Sequence, residues 1–142
     1  MPLPLAILIG LLIPFLGTSF GALSVFLLNG RSSERLERLL RYIRENLDQP
    51  LQNSTLAEIF YTHPTHFVRA FREETGQTPA KYVRNMRLET AKRLLEETDL
   101  SAAQVALRVG YPDPAHFSRL FRQRYGMPPA VWREYFEKSL IP

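Results

Sequence analysis

The sequence contains no cysteine, which excludes disulfides, a thiol nucleophile and any cysteine-ligated zinc site. Its three histidines are His63, His66 and His116. The first two stand three apart, but no third ligand lies near them, so the donor count a bound metal needs is not met. No stretch reads convincingly as a β-strand. There is no glycine-rich phosphate loop, no cluster of carboxylates and no triad spacing. The residues therefore give no ground for expecting an enzyme, a metal site or a cofactor. The most informative absence is charge. From Met1 to Gly30 no side chain is ionisable, so all 18 basic and 14 acidic residues fall in the remaining 112 positions.

That uncharged run is rich in Leu, Ile, Phe, Ala and Val. A helix of about 28 residues would be roughly 42 Å long, against the ~30 Å of a hydrocarbon core. A membrane-spanning helix over residues 1–30 is the leading reading. Pro14, Gly17 and Gly21 would break a soluble helix but are better tolerated in a span. A signal peptide is the rival, although a basic start and a small-residue cleavage site are not clear. A fused or mis-started segment is a further alternative. Arg31, Arg35, Arg38, Arg41 and Arg44 follow the run directly. The positive-inside rule then places the remainder in the cytoplasm, anchored to the inner membrane.

The remainder reads as all-α. Leu36, Leu39, Leu40, Ile43 and Leu47 recur at helical spacing over Ser33–Leu47, and Pro50 ends that helix. A short helix carries Leu56 and Ile59 inward. Pro64 opens another, running to about Glu74 and closed by Gly76. Thr78 and Pro79 start the longest helix, to about Thr98, with Val83, Met86, Ala91, Leu94 and Leu95 as its buried side. Ser101 and Gln104 form a capping box ahead of Ala102–Val109, which stops at Gly110. Asp113-Pro114 opens a helix to about Arg124, ended by Gly126, and Pro129 opens a last one holding Trp132 and Tyr135.

Part of this pattern is written twice. His66-Phe67-Val68-Arg69-Ala70-Phe71-Arg72, Gly76 and Pro79-Ala80 return fifty positions later as His116-Phe117-Ser118-Arg119-Leu120-Phe121-Arg122, Gly126 and Pro129-Ala130. A duplicated supersecondary unit is the usual meaning of such self-similarity. In each copy two phenylalanines four apart share one helix face and point inward, which turns Arg69 and Arg119 outward. A net charge of +4 leans toward an anionic partner.

Two short helix–turn–helix units joined by one long helix resemble the DNA-binding domain of AraC/XylS-type regulators. The resemblance is carried by Ala106-Leu107-Arg108-Val109-Gly110-Tyr111 with His116–Arg122 and Gly126-Met127-Pro128-Pro129. Glu74-Thr75-Gly76-Gln77-Thr78-Pro79 with Arg87-Leu88 and Leu94-Leu95 adds to it. It covers roughly Ser33 to Phe136. The likeness implies a domain over residues 31–142, with a first helix-turn-helix at about 53–75, a linker helix at about 79–98 and a second helix-turn-helix at about 102–124. It implies a sequence-specific transcriptional regulator of double-stranded DNA whose two recognition helices enter successive major grooves. The base-facing candidates are then Thr65, His66, Val68 and Arg69 in the first copy, and Ala115, His116, Ser118 and Arg119 in the second. Arg72, Arg122 and Arg124 are phosphate candidates. The transcription machinery is a further partner this reading leaves room for; no small-molecule ligand can be inferred.

The first copy departs from the family pattern. Tyr61 stands where the second copy has Gly110, His63 stands where a capping serine is usual, and Asn53 replaces a core leucine. A tyrosine in a left-handed turn costs on the order of 1 kcal/mol, so the second copy is expected to be the better-formed reader. A competing function is a membrane-associated interaction protein, whose basic amphipathic helix Ser33–Leu47 would lie on anionic lipid.

Overall fold

The computed structural model describes residues 33–140. The expected membrane span over residues 1–30 lies outside them. Among the described residues no helix is long and apolar enough to cross a membrane. Those residues form helices and turns with no strand. The helices are α1 (residues 33–45), α2 (Asn53–Ile59), α3 (Pro64–Thr75), α4 (Pro79–Glu97), α5 (Ala102–Arg108), α6 (Pro114–Tyr125) and α7 (Pro129–Ser139).

Local chemistry sets their ends. Pro64, Pro79, Pro114 and Pro129 each occupy the first position of a helix, where a missing amide leaves nothing unpaired. The Thr78 hydroxyl accepts from the Lys81 amide at 3.4 Å. Ser101 and Gln104 exchange the two bonds of a capping box, at 3.2 and 2.8 Å. Gly76 and Gly126 close α3 and α6 in the left-handed region, at φ 77° and 85°, where glycine carries no Cβ penalty.

Leu39, Ile43 and Leu47 are buried. The apolar face of the basic amphipathic helix is therefore spent on the protein core. That removes the face a lipid-lying helix would need, and with it the support for the membrane-associated alternative.

Beneath α5 and α6 the core gathers Leu88, Ala91, Leu95, Val105, Ala106, Val109, Tyr111, Phe117 and Phe121. Leu88 was not among the expected buried residues of α4, and Met86 and Leu94, which were, are only half-buried. The reason is that α4 packs against α3, α5, α6 and α7 in turn. A helix with several partners carries no single apolar stripe, so one-face periodicity misplaces its core. In α2 the buried residues are Leu56 and Ala57, followed by Phe60 at the helix end, while Ile59 is half-buried.

Arg87 ties the linker to both ends of the fold. Its Nε donates to the Leu47 carbonyl at 3.0 Å and its Nη2 to the Gln49 carbonyl at 2.8 Å. Its guanidinium also lies 5.6 Å from the centre of the Tyr111 ring. Burial pushes its pKa down from the usual value, but an arginine remains charged even so. Gly110 completes the joint at φ 89°. A Cβ there would collide with the Leu47 carbonyl oxygen and sit 2.9 Å from the Arg87 guanidinium. Arg133 repeats the device at the end of α4, its Nε donating to the Leu95 carbonyl at 3.2 Å.

Candidate nucleic-acid interface

The duplicated sequence folds into duplicated structure. α3 and α6 have twelve residues each. From Phe67 to Ala80 and from Phe117 to Ala130 the sequence of buried, half-buried and exposed positions is identical. Phe67 and Phe71 meet at 5.7 Å and 55°, as do Phe117 and Phe121. Tyr82 closes the first ring cluster edge-on against Phe71 at 5.6 Å, and Trp132 closes the second against Phe121 at 6.1 Å, both at 75°. The four phenylalanines are almost wholly buried. Truncating a phenylalanine so placed typically costs about 3–5 kcal/mol, so α3 and α6 are each held rigidly by their backs.

The turns before these helices also correspond, with one difference. In the first, the Thr62 amide donates to the Ala57 carbonyl at 3.0 Å; in the second, the Tyr111 amide donates to the Ala106 carbonyl at 2.8 Å. Tyr61 takes a positive φ of 55° where Gly110 has 89°. The expected strained tyrosine is thus present, and the turn is not reshaped to avoid it. Two residues separate Tyr61 from Pro64, and three separate Gly110 from Pro114. The second loop is one residue longer, so the turns match at an offset of 49 and the helices at 50. Tyr61 is exposed, and its hydroxyl accepts from Arg38 Nη1 at 3.0 Å.

Each helix start is capped by a side chain. Asp113 Oδ1 accepts from the Ala115 amide at 3.0 Å. In the first copy His63 Nδ1 stands in for the carboxylate, accepting from the Thr65 amide at 3.4 Å and lying 2.8 Å from Thr65 Oγ1. The sequence departure at His63 is therefore accommodated, by a weaker cap.

On the outer faces Thr65, His66 and Arg69 are exposed and Val68 half-buried; Ala115, His116 and Arg119 are exposed and Ser118 half-buried. Each set shares one helix with its partners. Arg72, Arg122 and Arg124 are exposed, toward the C-terminal ends of the same helices. No group of three or more metal-ligating side chains occurs among the described residues.

The two faces differ in charge. Arg69 Nε donates to Glu73 Oε1 at 2.9 Å, and that hydrogen bond, with the charge of Glu73, raises the pKa of Arg69 above its usual value. The residue corresponding to Glu73 in α6 is Gln123. α3 balances two arginines against Glu73 and Glu74, whereas α6 carries three arginines and no acid. This pairing is legible as an arginine followed four residues later by a glutamate, a signal not used among the sequence expectations. Lys81 and Arg84, also absent from those expectations, are exposed on α4.

Comparison with known proteins agrees with this geometry. A helix-turn-helix domain family model matches residues 56–135. The HTH-type transcriptional regulator YobQ of Bacillus subtilis is 35% identical over 72 residues, covering 51% of this chain and 30% of that protein. The chain spans less than a third of the length of the curated relatives it matches best. The crystal structure of the AdpA DNA-binding domain in complex with a target DNA superposes with a TM-score of 0.70 at 32% identity, over 73% of this chain and 94% of that one. An AraC-type transcriptional regulator from Chromobacterium violaceum gives a TM-score of 0.66 at 27% identity, over 74% and 94% of the two chains. With its twin reading helices, its shared turn and the family match across more than half of its length, this chain belongs to the AraC-type helix-turn-helix family.

Proposed function

We propose that this protein regulates transcription by binding double-stranded DNA in a sequence-specific manner, with α3 and α6 lying in successive major grooves. The observation that carries the proposal is the repeated helix, arginine outward and phenylalanine pair inward, with one burial pattern in both copies. That is the chemistry a major-groove reader requires: an apolar back that fixes it and a polar front that reaches base edges. The DNA complex formed by the AdpA domain supports the reading.

In this scheme Arg119 and Arg69 make bidentate contacts to guanine O6 and N7. Thr65, His66 and Val68 flank Arg69, and Ala115, His116 and Ser118 flank Arg119. Val68 and Ala115 offer only apolar contact, for instance to a thymine methyl. Arg72, Arg122 and Arg124 hold phosphates. The second helix is the stronger anchor, since it has the glycine turn, the aspartate cap and arginines with no acid on the same helix. The apolar segment 1–30 tethers the regulator to the inner membrane with its DNA-binding part in the cytoplasm, a role that rests on its composition and on the arginines that follow it.

Selection from a random duplex pool by the full chain tests this. A recovered consensus, with Arg119→Ala erasing more base preference than Arg69→Ala, is the expected result. Binding without any consensus contradicts specific readout, and a larger loss from Arg69→Ala reverses the assignment of the two helices.

A further inference from the structure

Between α4 and α6 lies a cleft of about 350 Å³ lined by Lys81, Arg84, Asn85, Leu88, Leu120, Gln123 and Arg124. Three of these are cations and none is an acid. We propose that Lys81 and Arg84 of the linker helix, with Arg124 of α6, form a sequence-neutral phosphate site that grips the DNA backbone between the two reading helices. The inference rests on the duplex-binding reading above and gives the linker a role beyond spacing.

The ion pairs of the described residues join Arg69 to Glu73, Lys92 to Glu96 and Lys138 to Glu134. Lys81, Arg84 and Arg124 take part in none of them, although the chain as a whole has 14 acidic residues to its 18 basic ones. Three exposed cations gathered without a counter-charge repel one another, which an anionic partner would relieve.

Leu120 and Gln123 also line a neighbouring cleft with Arg119 and Arg122, so the cationic cleft adjoins the reading surface of α6. On α4, Lys81, Arg84 and Leu88 fall at i, i+3 and i+7, one face of the helix. Leu88 is buried, so this face has an apolar floor under a cationic rim. In this proposal a duplex that engages both helices passes its backbone along the helix that joins them.

Lysine and arginine ends on an open surface, with an arginine fork available for bidentate contact, suit a phosphodiester. The cleft has no acidic or reactive group to fix or turn over a small ligand. A polymer that brings several charges suits three cations lining one cleft.

The test uses the full chain and a selected duplex, with affinity measured across a range of salt concentrations. Lys81→Gln with Arg84→Gln is compared with wild type, with the charge-preserving Lys81→Arg/Arg84→Lys pair, and with Arg93→Gln. Arg93 is exposed on the same helix, nine residues beyond Arg84 and so about 180° around it. Far-ultraviolet circular dichroism confirms that each variant is folded. The expected result for the glutamine pair is a Kd raised about tenfold or more and a salt slope reduced by roughly two, with the ranking of substituted sites unchanged. The charge-preserving pair and Arg93→Gln stay near wild type. A wild-type slope in the glutamine pair, an equal loss in Arg93→Gln, or an altered site ranking each overturns the proposal while leaving DNA binding intact. Failure of the wild-type chain to bind duplex at all overturns both.

Discussion

Tyr61 and Gly110 hold the same left-handed turn with opposite margins. Tyr61 projects into solvent beneath Arg38, so its strain is local and on the order of 1 kcal/mol. Gly110 combines positive φ with a backbone carbonyl where a Cβ would go. Gly110→Ala is therefore expected to cost about 2–4 kcal/mol, adding strain to overpacking, and to lower the urea midpoint accordingly. A loss below about 1 kcal/mol would mean that the Leu47 loop yields. The same comparison shows what residue patterns disclose. The repeat exposed Tyr61 as the glycine equivalent, and the structure places both residues at positive φ. The contact between Gly110, Leu47 and Arg87 joins residues from three separate parts of the chain, Leu47 and Arg87 alone lying 40 positions apart, which no local signal encodes. Glu73 offers a second residue-scale test. With Arg69 held by Glu73, Glu73→Gln is expected to tighten non-specific binding several-fold and steepen the salt slope by about one. Measurement against competitor DNA checks this; no change would place Glu73 away from the backbone.

At the scale of elements, helix starts were the most legible feature, because proline at the first position and capping side chains act within four residues. The Ser101–Gln104 box and the Pro79 start lie where the sequence reading put them. The core face of α4 was least legible, since Leu88 turns inward for partners that lie far along the chain. Tyr111 shows how one element pins another. Its burial raises the phenol pKa, and the nearby charge of Arg87 only partly counters that. The folded protein thus holds the phenolic proton more tightly than the unfolded chain does. This stabilising contribution is complete below the ordinary tyrosine value of ~10 and is lost as pH rises through the folded value. Tyr111→Phe is expected to flatten the alkaline fall in stability, measured by urea unfolding between pH 9 and 11 as an order-of-magnitude window. An unchanged fall would assign it to other groups.

For the molecule as a whole, the repeat implies two similar helices on one frame, and the two folded copies share one burial pattern from Phe67 to Ala80 and from Phe117 to Ala130. The charge imbalance between α3 and α6 lies in their sequences, and the structure adds the ion pair of Arg69 with Glu73. It makes the pair unequal: α6 carries three arginines and no acid, whereas α3 sets two arginines against two glutamates. The linker, with Arg87 locked into the preceding loop, fixes the distance and phase between them. Hydroxyl-radical footprinting of the full chain on a selected duplex tests this most directly. The account expects two protected stretches on one face of the duplex, centred about one helical turn (roughly 34 Å) apart, with the Arg119→Ala variant losing the stretch assigned to α6 first. A single protected stretch, or two on opposite faces, would contradict it.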